Sequence, residues 1–144
     1  MAGLMRCAAV VAGLVFGVSA AAAEFRIQHD HGGQIGSYLQ KFAQVRDSGQ
    51  RVVIDGPCSS ACTLALAVVP RNRICVTPNA VLGFHAAWTT DRYGHTVESE
   101  AGTRLLMASY PAPIKSWIAR RGGLNGKTIH LRGRELAAIY PRCR

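Results

Sequence analysis

Acidic residues are scarce in this sequence, with 8 Asp and Glu against 17 Lys and Arg, and the formal net charge is +9 at pH 7. The basic excess is concentrated after Arg104, and no acid lies between Ala101 and Arg134. A basic surface favours anionic partners, so an anionic envelope component is one candidate partner. The simpler interpretation, which we favour, is a solvated basic face that aids solubility.

Several features that would indicate other functions are also lacking. Aromatic residues make up 7% of the chain and form no platform with basic residues, so we expect no nucleic-acid partner. Cys58 and Cys62 have three residues between them instead of two, and no Cys/His pair lies nearby at ligand spacing, which disfavours a zinc or redox site. We therefore expect no metal and no cofactor. Internal repeats and low-complexity linkers are absent, so residues 24–144 are predicted to form one domain.

Residues 1–23 have the pattern of a signal peptide. One positive charge in residues 1–6 precedes an almost wholly apolar stretch, residues 7–20, and three alanines ending at Ala23 supply a cleavage site. The apolar stretch is shorter than the roughly 20 residues that span a bilayer. We therefore expect cleavage near Ala23 and a periplasmic or secreted domain with a modest core.

Export would place four cysteines, Cys58, Cys62, Cys75 and Cys143, in an oxidising compartment. Two disulfide bonds are therefore expected, and three pairings of the four residues exist. We favour Cys58 with Cys62, which would clamp the turn between them, and Cys75 with Cys143, which would tie the C-terminal tail to the sheet.

Hydrophobic periodicity and turn residues predict an α/β fold with a short, mainly parallel sheet and flanking helices. Strands are predicted at residues 25–28, 51–55, 73–76 and 80–85. Helices are predicted at residues 34–47, 60–69, 97–110, 114–121 and 134–139. Residues 89–96 are predicted to be a polar loop.

A hydroxyl and an imidazole follow two of these strands. The second strand breaks at Asp55-Gly56-Pro57 into the segment that holds Ser60, and the fourth strand ends on His85. The carboxyl ends of neighbouring parallel strands lie at one edge of a sheet, where catalytic groups gather. Serine needs an adjacent base to become a nucleophile, and histidine titrates near neutrality, so the pair predicts acyl transfer.

His29-Asp30-His31 is a further candidate, because two imidazoles flank a carboxylate and could hold a metal. Successive residues of an extended segment point to opposite sides, however, so the three groups are not expected to converge. We favour a polar turn beside the site.

Three motifs follow one another in the first half of the chain. Gly32-Gly33 follows the first predicted strand, residues 56–63 surround Ser60, and Arg73-Ile74-Cys75-Val76-Thr77-Pro78-Asn79-Ala80 leads to His85. This order resembles the Clp protease proteolytic subunit within the crotonase-like superfamily. That family has a Gly-Gly turn, a nucleophilic serine at the next strand-to-helix turn, and a histidine after an Arg and a Pro-Asn turn. The resemblance covers residues 25–87, with a weaker echo at 134–140, and extends to small exported bacterial proteins with a Ser-Ala-Cys motif.

The resemblance implies a crotonase-like β/α domain and a set of roles. Ser60 corresponds to the nucleophile, with Ser59 as the less favoured alternative, and His85 corresponds to the general base. The backbone N–H groups of Gly33 and Ala61 correspond to an oxyanion hole.

The third catalytic residue departs from the family, which has an Asp where this sequence has Leu124-Asn125. Asn125 could orient an imidazole as Asn does in Cys-His-Asn sites. The acids shortly downstream of His85 that could reach it instead are Asp91, Glu98 and Glu100.

Two further departures concern partners. An N-terminal βα unit of the family has no counterpart, which would leave a sheet edge open to self-association or to an added peptide strand. The region that the family uses for ATPase docking is not recognisable, so no ATPase partner is expected.

The sequence thus supports two hypotheses. The favoured one is a periplasmic serine hydrolase of peptidase type, acting on a peptide or acyl substrate. The alternative is a catalytically inactive crotonase-like module that binds a peptide, an acyl chain or an anionic envelope component in the same cleft.

Overall fold

The computed structural model describes residues 23–144. The predicted signal peptide lies outside the described residues, apart from Ala23. Within residues 23–144, no helix has both the length and the apolar character needed to cross a membrane.

The described chain contains both strands and helices, which confirms the mixed α/β class. The strands are β1 (Glu24–Ile27), β2 (Arg51–Ile54), β3 (Pro57–Ser59), β4 (Ile74–Val76), β5 (Val81–Phe84), β6 (Trp88–Thr90), β7 (Thr96–Glu98) and β8 (Ile129–Arg132). The helices are α1 (Ile35–Asp47), α2 (Ala65–Val68), α3 (Glu100–Ser109), α4 (Ala112–Arg120) and α5 (Gly133–Ile139). Ser60–Leu64 and Arg71–Arg73 form 3-10 turns.

The predicted single sheet is divided into two small sheets and a hairpin. The first sheet has the order β1-β2-β4 and is wholly parallel. The second has the order β3-β5-β8, in which β3 and β5 are parallel and β8 is antiparallel. β6 and β7 form a separate antiparallel pair.

The chain passes from the first sheet into the second at Gly56. A Cβ atom added there would collide with the carbonyl oxygen of Gln28, so only glycine fits the close approach of these segments. The segment after β1 follows the same path, because Asp30 forms a parallel bridge with Cys58 in β3. The segments that follow β1, β2 and β4 therefore keep the order of those strands in the second sheet.

The buried side chains of both sheets and of the helices form one hydrophobic cluster. α1 contributes Phe42, β2 contributes Ile54, β5 contributes Phe84 and α4 contributes Ile118, each no more than 1% exposed. Full burial of a side chain of this size stabilises the fold by about 1.5–3 kcal/mol. Packing in this cluster fixes the C-terminal ends of β2 and β5.

Both favoured cysteine pairings are present. Cys58 is bonded to Cys62 across the turn that contains Ser60, and Cys75 in β4 is bonded to Cys143 in the tail. The backbone supports the second bond, since the N–H of Val76 donates to Pro141 and the N–H of Cys143 donates to Val76.

The structure differs from the predicted elements in several places, among them β3, which was not predicted as a strand, and residues 97–98, which belong to β7 and not to a helix. Residues 60–69, predicted as one helix, form a 3-10 turn followed by α2. Residues 89–96, predicted as a loop, contribute to the β6–β7 hairpin, whose turn is held by Asp91 accepting the N–H groups of Tyr93 and His95. β8 was not predicted, although its only fully buried residue, Leu131, lies between polar neighbours as in a half-buried strand.

Candidate active site

Four predicted site residues from separate segments line one cavity of about 390 Å³. Gly33 comes from the loop after β1, Ser60 and Ala61 from the turn after β3, and His85 from the end of β5. The rest of the wall is formed by Gln34, Ile35, Ala87, Trp88, Thr89, Thr90 and Leu106. Ser60 and His85, which follow neighbouring strands, and Gly33 and Ala61, which the resemblance names, thus line the same cavity.

Ser59 does not line this cavity. It lies in β3 opposite Gly83 of β5, and its hydroxyl occupies the space that a Cβ atom on Gly83 would need. Of the two neighbouring serines, Ser60 is the one that reaches the cavity.

The backbone of Ser60 is in an unusual conformation. Its φ is +57°, and within residues 23–144 no other residue except glycines has a positive φ. A left-handed conformation costs a non-glycine residue about 1–3 kcal/mol and persists only where the surroundings enforce it. Here the Cys58–Cys62 disulfide brackets the residue on both sides.

A buried chain of hydroxyl groups also holds Ser60. The Thr63 hydroxyl donates to the Ser60 carbonyl at 2.6 Å and lies 2.6 Å from the Tyr110 hydroxyl. Because Thr63 has used its single proton on Ser60, Tyr110 must be the donor in the second bond. Burial raises the pKa of Tyr110 to about 12, which keeps this proton in place at neutral pH.

The loop before α1 packs directly on the Ser60 turn. Gly32 has a φ of +83°, and a Cβ atom added to it would lie 2.7 Å from the Ala61 nitrogen and from the Ser59 oxygen. The close approach and the positive φ that require glycine are therefore at Gly32. A Cβ atom added to Gly33 would lie 3.3 Å from the Tyr38 ring, a tight contact that a small shift of the ring would relieve.

Asp30 anchors that loop. Its carboxylate accepts hydrogen bonds from the Gly32 N–H at 2.9 Å, the Tyr38 hydroxyl at 2.6 Å and the Lys41 ammonium at 3.2 Å. Burial acts to raise the pKa of Asp30, but these three donors outweigh burial and the pKa lies below its ordinary value of 3.8. Asp30 is therefore charged at neutral pH and fixes the loop that leads to Gly33.

The backbone N–H groups of Gly33 and Ala61 are suited to hold an anion. Gly33 N–H donates no hydrogen bond to another described residue. Ala61 is the second residue of the Ser60–Leu64 turn, and the first N–H groups of a helical turn lack partners within it. Both residues line the cavity beside Ser60.

The imidazole of His85 is half-buried and has a backbone partner. Its Nδ1 lies 2.7 Å from the carbonyl oxygen of Ala86. A carbonyl only accepts, so Nδ1 carries the proton and Nε2 of the neutral ring is free to act as a base. In this conformation no hydrogen bond joins His85 to Ser60 or to a carboxylate of the described residues.

The segment after His85 is held at two further points. Ala86 N–H donates to the Asn125 carbonyl at 2.8 Å, and Ala87 N–H donates to the Thr103 hydroxyl at 3.0 Å. The side chain of Asn125 instead accepts from the Lys127 N–H at 2.8 Å. Asn125 therefore supports the imidazole through its backbone, and the expected side-chain contact is absent.

The three acids downstream of His85 are differently placed. Asp91 accepts bonds within its own hairpin turn, and Glu100 pairs with Arg104. Glu98 lines a second cavity, of about 310 Å³, together with His85. Of the three, Glu98 is the acid that shares a cavity with the imidazole.

His29 and His31 lie on the same side of the chain, with ring centroids 4.4 Å apart. Asp30 points the other way, towards Tyr38 and Lys41. The expectation that the three groups do not converge is correct, but the imidazoles meet because residues i and i+2 of an extended segment share a face. Within residues 23–144, no group of three or more His, Cys, Asp or Glu side chains could hold a metal.

The sequence analysis did not identify Thr63 or Tyr110 as site residues. Thr63 was a usable signal, because it is the one polar residue in the apolar stretch of residues 61–69, but its partner lies 47 positions away. A comparison with models of known protein families finds no match, and a comparison with curated protein sequences finds none either.

Proposed function

We propose that the protein is a serine hydrolase of peptidase type with a crotonase-like fold. Ser60 is the nucleophile, His85 is the general base, and the N–H groups of Gly33 and Ala61 form the oxyanion hole. The observation that carries the proposal is the meeting of these four residues at one cavity.

The reaction would follow from the protonation states described above. Ser60 Oγ attacks a carbonyl carbon and transfers its proton to His85 Nε2, while the carbonyl oxygen becomes an oxyanion between the two N–H groups. The imidazolium then gives the proton to the leaving group, and water releases the acyl group by the reverse sequence. Each oxyanion donor would lower the barrier by about 3 kcal/mol.

The wall of the cavity favours an uncharged acyl group. Ile35, Ala61, Ala87 and Leu106 give it an apolar lining, and no Asp, Glu, Lys or Arg is among the lining residues. β6 runs along the rim, and β7 is its only strand partner among the described residues. A peptide could therefore add to β6 as a further strand while one apolar side chain enters the cavity.

Export is part of the same proposal. Two disulfide bonds within the described residues are typical of proteins in oxidising compartments. One of them brackets Ser60, so an oxidising compartment would also favour the conformation of the site.

A binding module without catalysis is the second candidate. It is favoured by the lack of a hydrogen bond between Ser60 and His85 and by the backbone carbonyl that takes the place of a carboxylate behind the imidazole. Catalytic hydrogen bonds often tighten only when substrate binds, so this geometry is compatible with the hydrolase as well.

A fluorophosphonate probe separates them. Labelling of the oxidised protein is expected at Ser60, with loss in Ser60→Gly, a variant that suits the positive φ. Ser59→Ala is the matched control and should label as the wild type does, because Ser59 lies outside the cavity.

Labelling that persists in Ser60→Gly, or no labelling of the folded wild type over hours, would contradict the hydrolase. In the second case, quenching of Trp88 fluorescence by apolar peptides would support the binding module, since Trp88 is on the rim.

A further inference from the structure

His29 and His31 present their imidazoles to solvent. Their ring centroids are 4.4 Å apart with planes at 89°, and both residues are exposed. Among the described residues, ring hydrogen bonds of histidine involve only His85 and His95. The ring nitrogens of His29 and His31 therefore form no hydrogen bond with another described residue, and their lone pairs are available to a ligand.

The backbone, and not a side-chain contact, brings the two rings together. Asp30 between them is paired with β3, since its N–H donates to Pro57 at 2.9 Å and its carbonyl accepts from Ser59 at 2.8 Å. This pairing fixes an extended conformation at residue 30, so the side chains before and after it leave the chain on the same side. The pair is thus preorganised before any ligand arrives.

We propose that His29 and His31 bind a divalent transition-metal ion, with Cu²⁺ bound more tightly than Zn²⁺. Imidazole nitrogen is a favoured ligand of both ions, and the Irving–Williams order places Cu²⁺ first. The Asp30 carboxylate is not a ligand, because Tyr38, Lys41 and the Gly32 N–H already occupy it. With two protein ligands, the ion keeps water in its remaining positions and exchanges readily.

Chelation by two linked imidazoles gives the site its affinity. The second ligand binds as an intramolecular group, which typically strengthens binding by about 10²–10⁴-fold over one ligand. Binding to the folded chain, whose backbone holds the two rings together, also stabilises that state over the unfolded one. Neither effect depends on the proposed hydrolase activity.

Calorimetric titration of the oxidised, untagged full chain with CuCl₂ or ZnCl₂ tests the proposal. One Cu²⁺ bound per chain is expected, with weaker Zn²⁺ binding and a melting temperature that rises with Cu²⁺. His29→Ala and His31→Ala should each weaken Cu²⁺ binding by about 10²-fold or more. His130→Ala is the matched control, because His130 is an exposed histidine without a neighbouring imidazole, and should bind as the wild type does.

Electron paramagnetic resonance gives a second measurement. The wild-type Cu²⁺ complex should show nitrogen couplings from two imidazoles, and each single variant should show one. Unchanged Cu²⁺ affinity in the double variant His29→Ala/His31→Ala, or wild-type spectra without imidazole nitrogen, would overturn the proposal. Because all of these variants change only exposed side chains, their melting temperatures without metal should match the wild type and exclude misfolding as the cause.

Discussion

The hydroxyl of Thr63 donates a hydrogen bond to the backbone carbonyl of Ser60 at 2.6 Å, and it does so from a fully buried position. The bond connects the candidate nucleophile to Tyr110, which packs edge-on against Phe84 in the core at a centroid distance of 5.4 Å. The conformation of the cavity wall is thereby linked to the core.

Thr63→Val should test this link. The change keeps the shape of the side chain but leaves the Ser60 carbonyl and the Tyr110 hydroxyl without their partner, which should lower the free energy of unfolding by about 1–3 kcal/mol. Fluorophosphonate labelling should slow as well, because the Ser60 turn loses a restraint. Urea denaturation and labelling rates measure the two effects.

Ser109→Ala is the control, since it also removes a hydroxyl bonded to a backbone carbonyl but from an exposed helix position. Equal stability losses in the two variants would contradict the special role of Thr63.

Gly32→Ala should damage the site through the backbone. The added Cβ atom would lie 2.7 Å from backbone atoms of Ser59 and Ala61, at a φ of +83° that alanine disfavours. We expect a loss of at least about 1–3 kcal/mol in unfolding free energy, with slower probe labelling. Gly36→Ala in α1 meets nothing within 4 Å and should instead stabilise the protein by about 0.5–1 kcal/mol. Thermal denaturation of both variants checks the contrast.

The two disulfides should differ in what they control. The Cys75–Cys143 bond closes a loop with a sequence separation of 68, so replacing both cysteines by alanine should cost about 3–5 kcal/mol of stability. The Cys58–Cys62 bond closes a loop with a separation of 4. Its loss should lower the stability less than loss of the other bond, but should slow the labelling of Ser60 more. Comparing unfolding curves and labelling rates of the two double variants tests this. A larger labelling defect in the Cys75/Cys143 variant would contradict the expectation.

Protonation of Asp30 should lower the stability of the protein in acid. Its pKa is lowered in the folded state, so the unfolded chain takes up the proton first as the pH falls. The stabilisation is complete above the unfolded pKa near 3.8 and is lost as the pH drops through the lower folded value. Asp30→Asn should remove this part of the pH dependence, seen as a shallower decline of melting temperature below pH 4.

Asp47→Asn, which alters an exposed pair with Arg46, controls for the general loss of negative charge. Identical melting profiles for the wild type and Asp30→Asn would contradict the role of Asp30.

The cavity could be predicted from the sequence to the extent that it depends on strand order. Ser60 and His85 follow strands that pair side by side, and parallel pairing brings their ends together. The hydrogen bonds that orient these residues depend on contacts distant in the chain, such as Tyr110 with Thr63 and Asn125 with Ala86, which local patterns do not specify. The partner of the imidazole was missed because the prediction considered side chains and the structure uses a carbonyl.

The secondary structure was predicted best where periodicity extends over many residues. α1 begins and ends within one residue of its predicted bounds, since its apolar face is regular over thirteen residues. β3 was missed because Pro57 follows Asp55-Gly56, a run of residues that indicates a turn. β8 was missed although Ile129 and Leu131 alternate with polar residues, the same short pattern that predicted β1.

The attachment of the C-terminal tail to β4 has a consequence for how copies of the chain meet. Arg142 forms a parallel bridge with Val76, so the tail already occupies hydrogen-bonding groups on the outer side of β4. A strand from another molecule that adds to the β1-β2-β4 sheet must then pair with β1, at the opposite margin. Trimming the last residues or cleaving the sulfur link would free a second margin, and chains open at both margins can polymerise without limit.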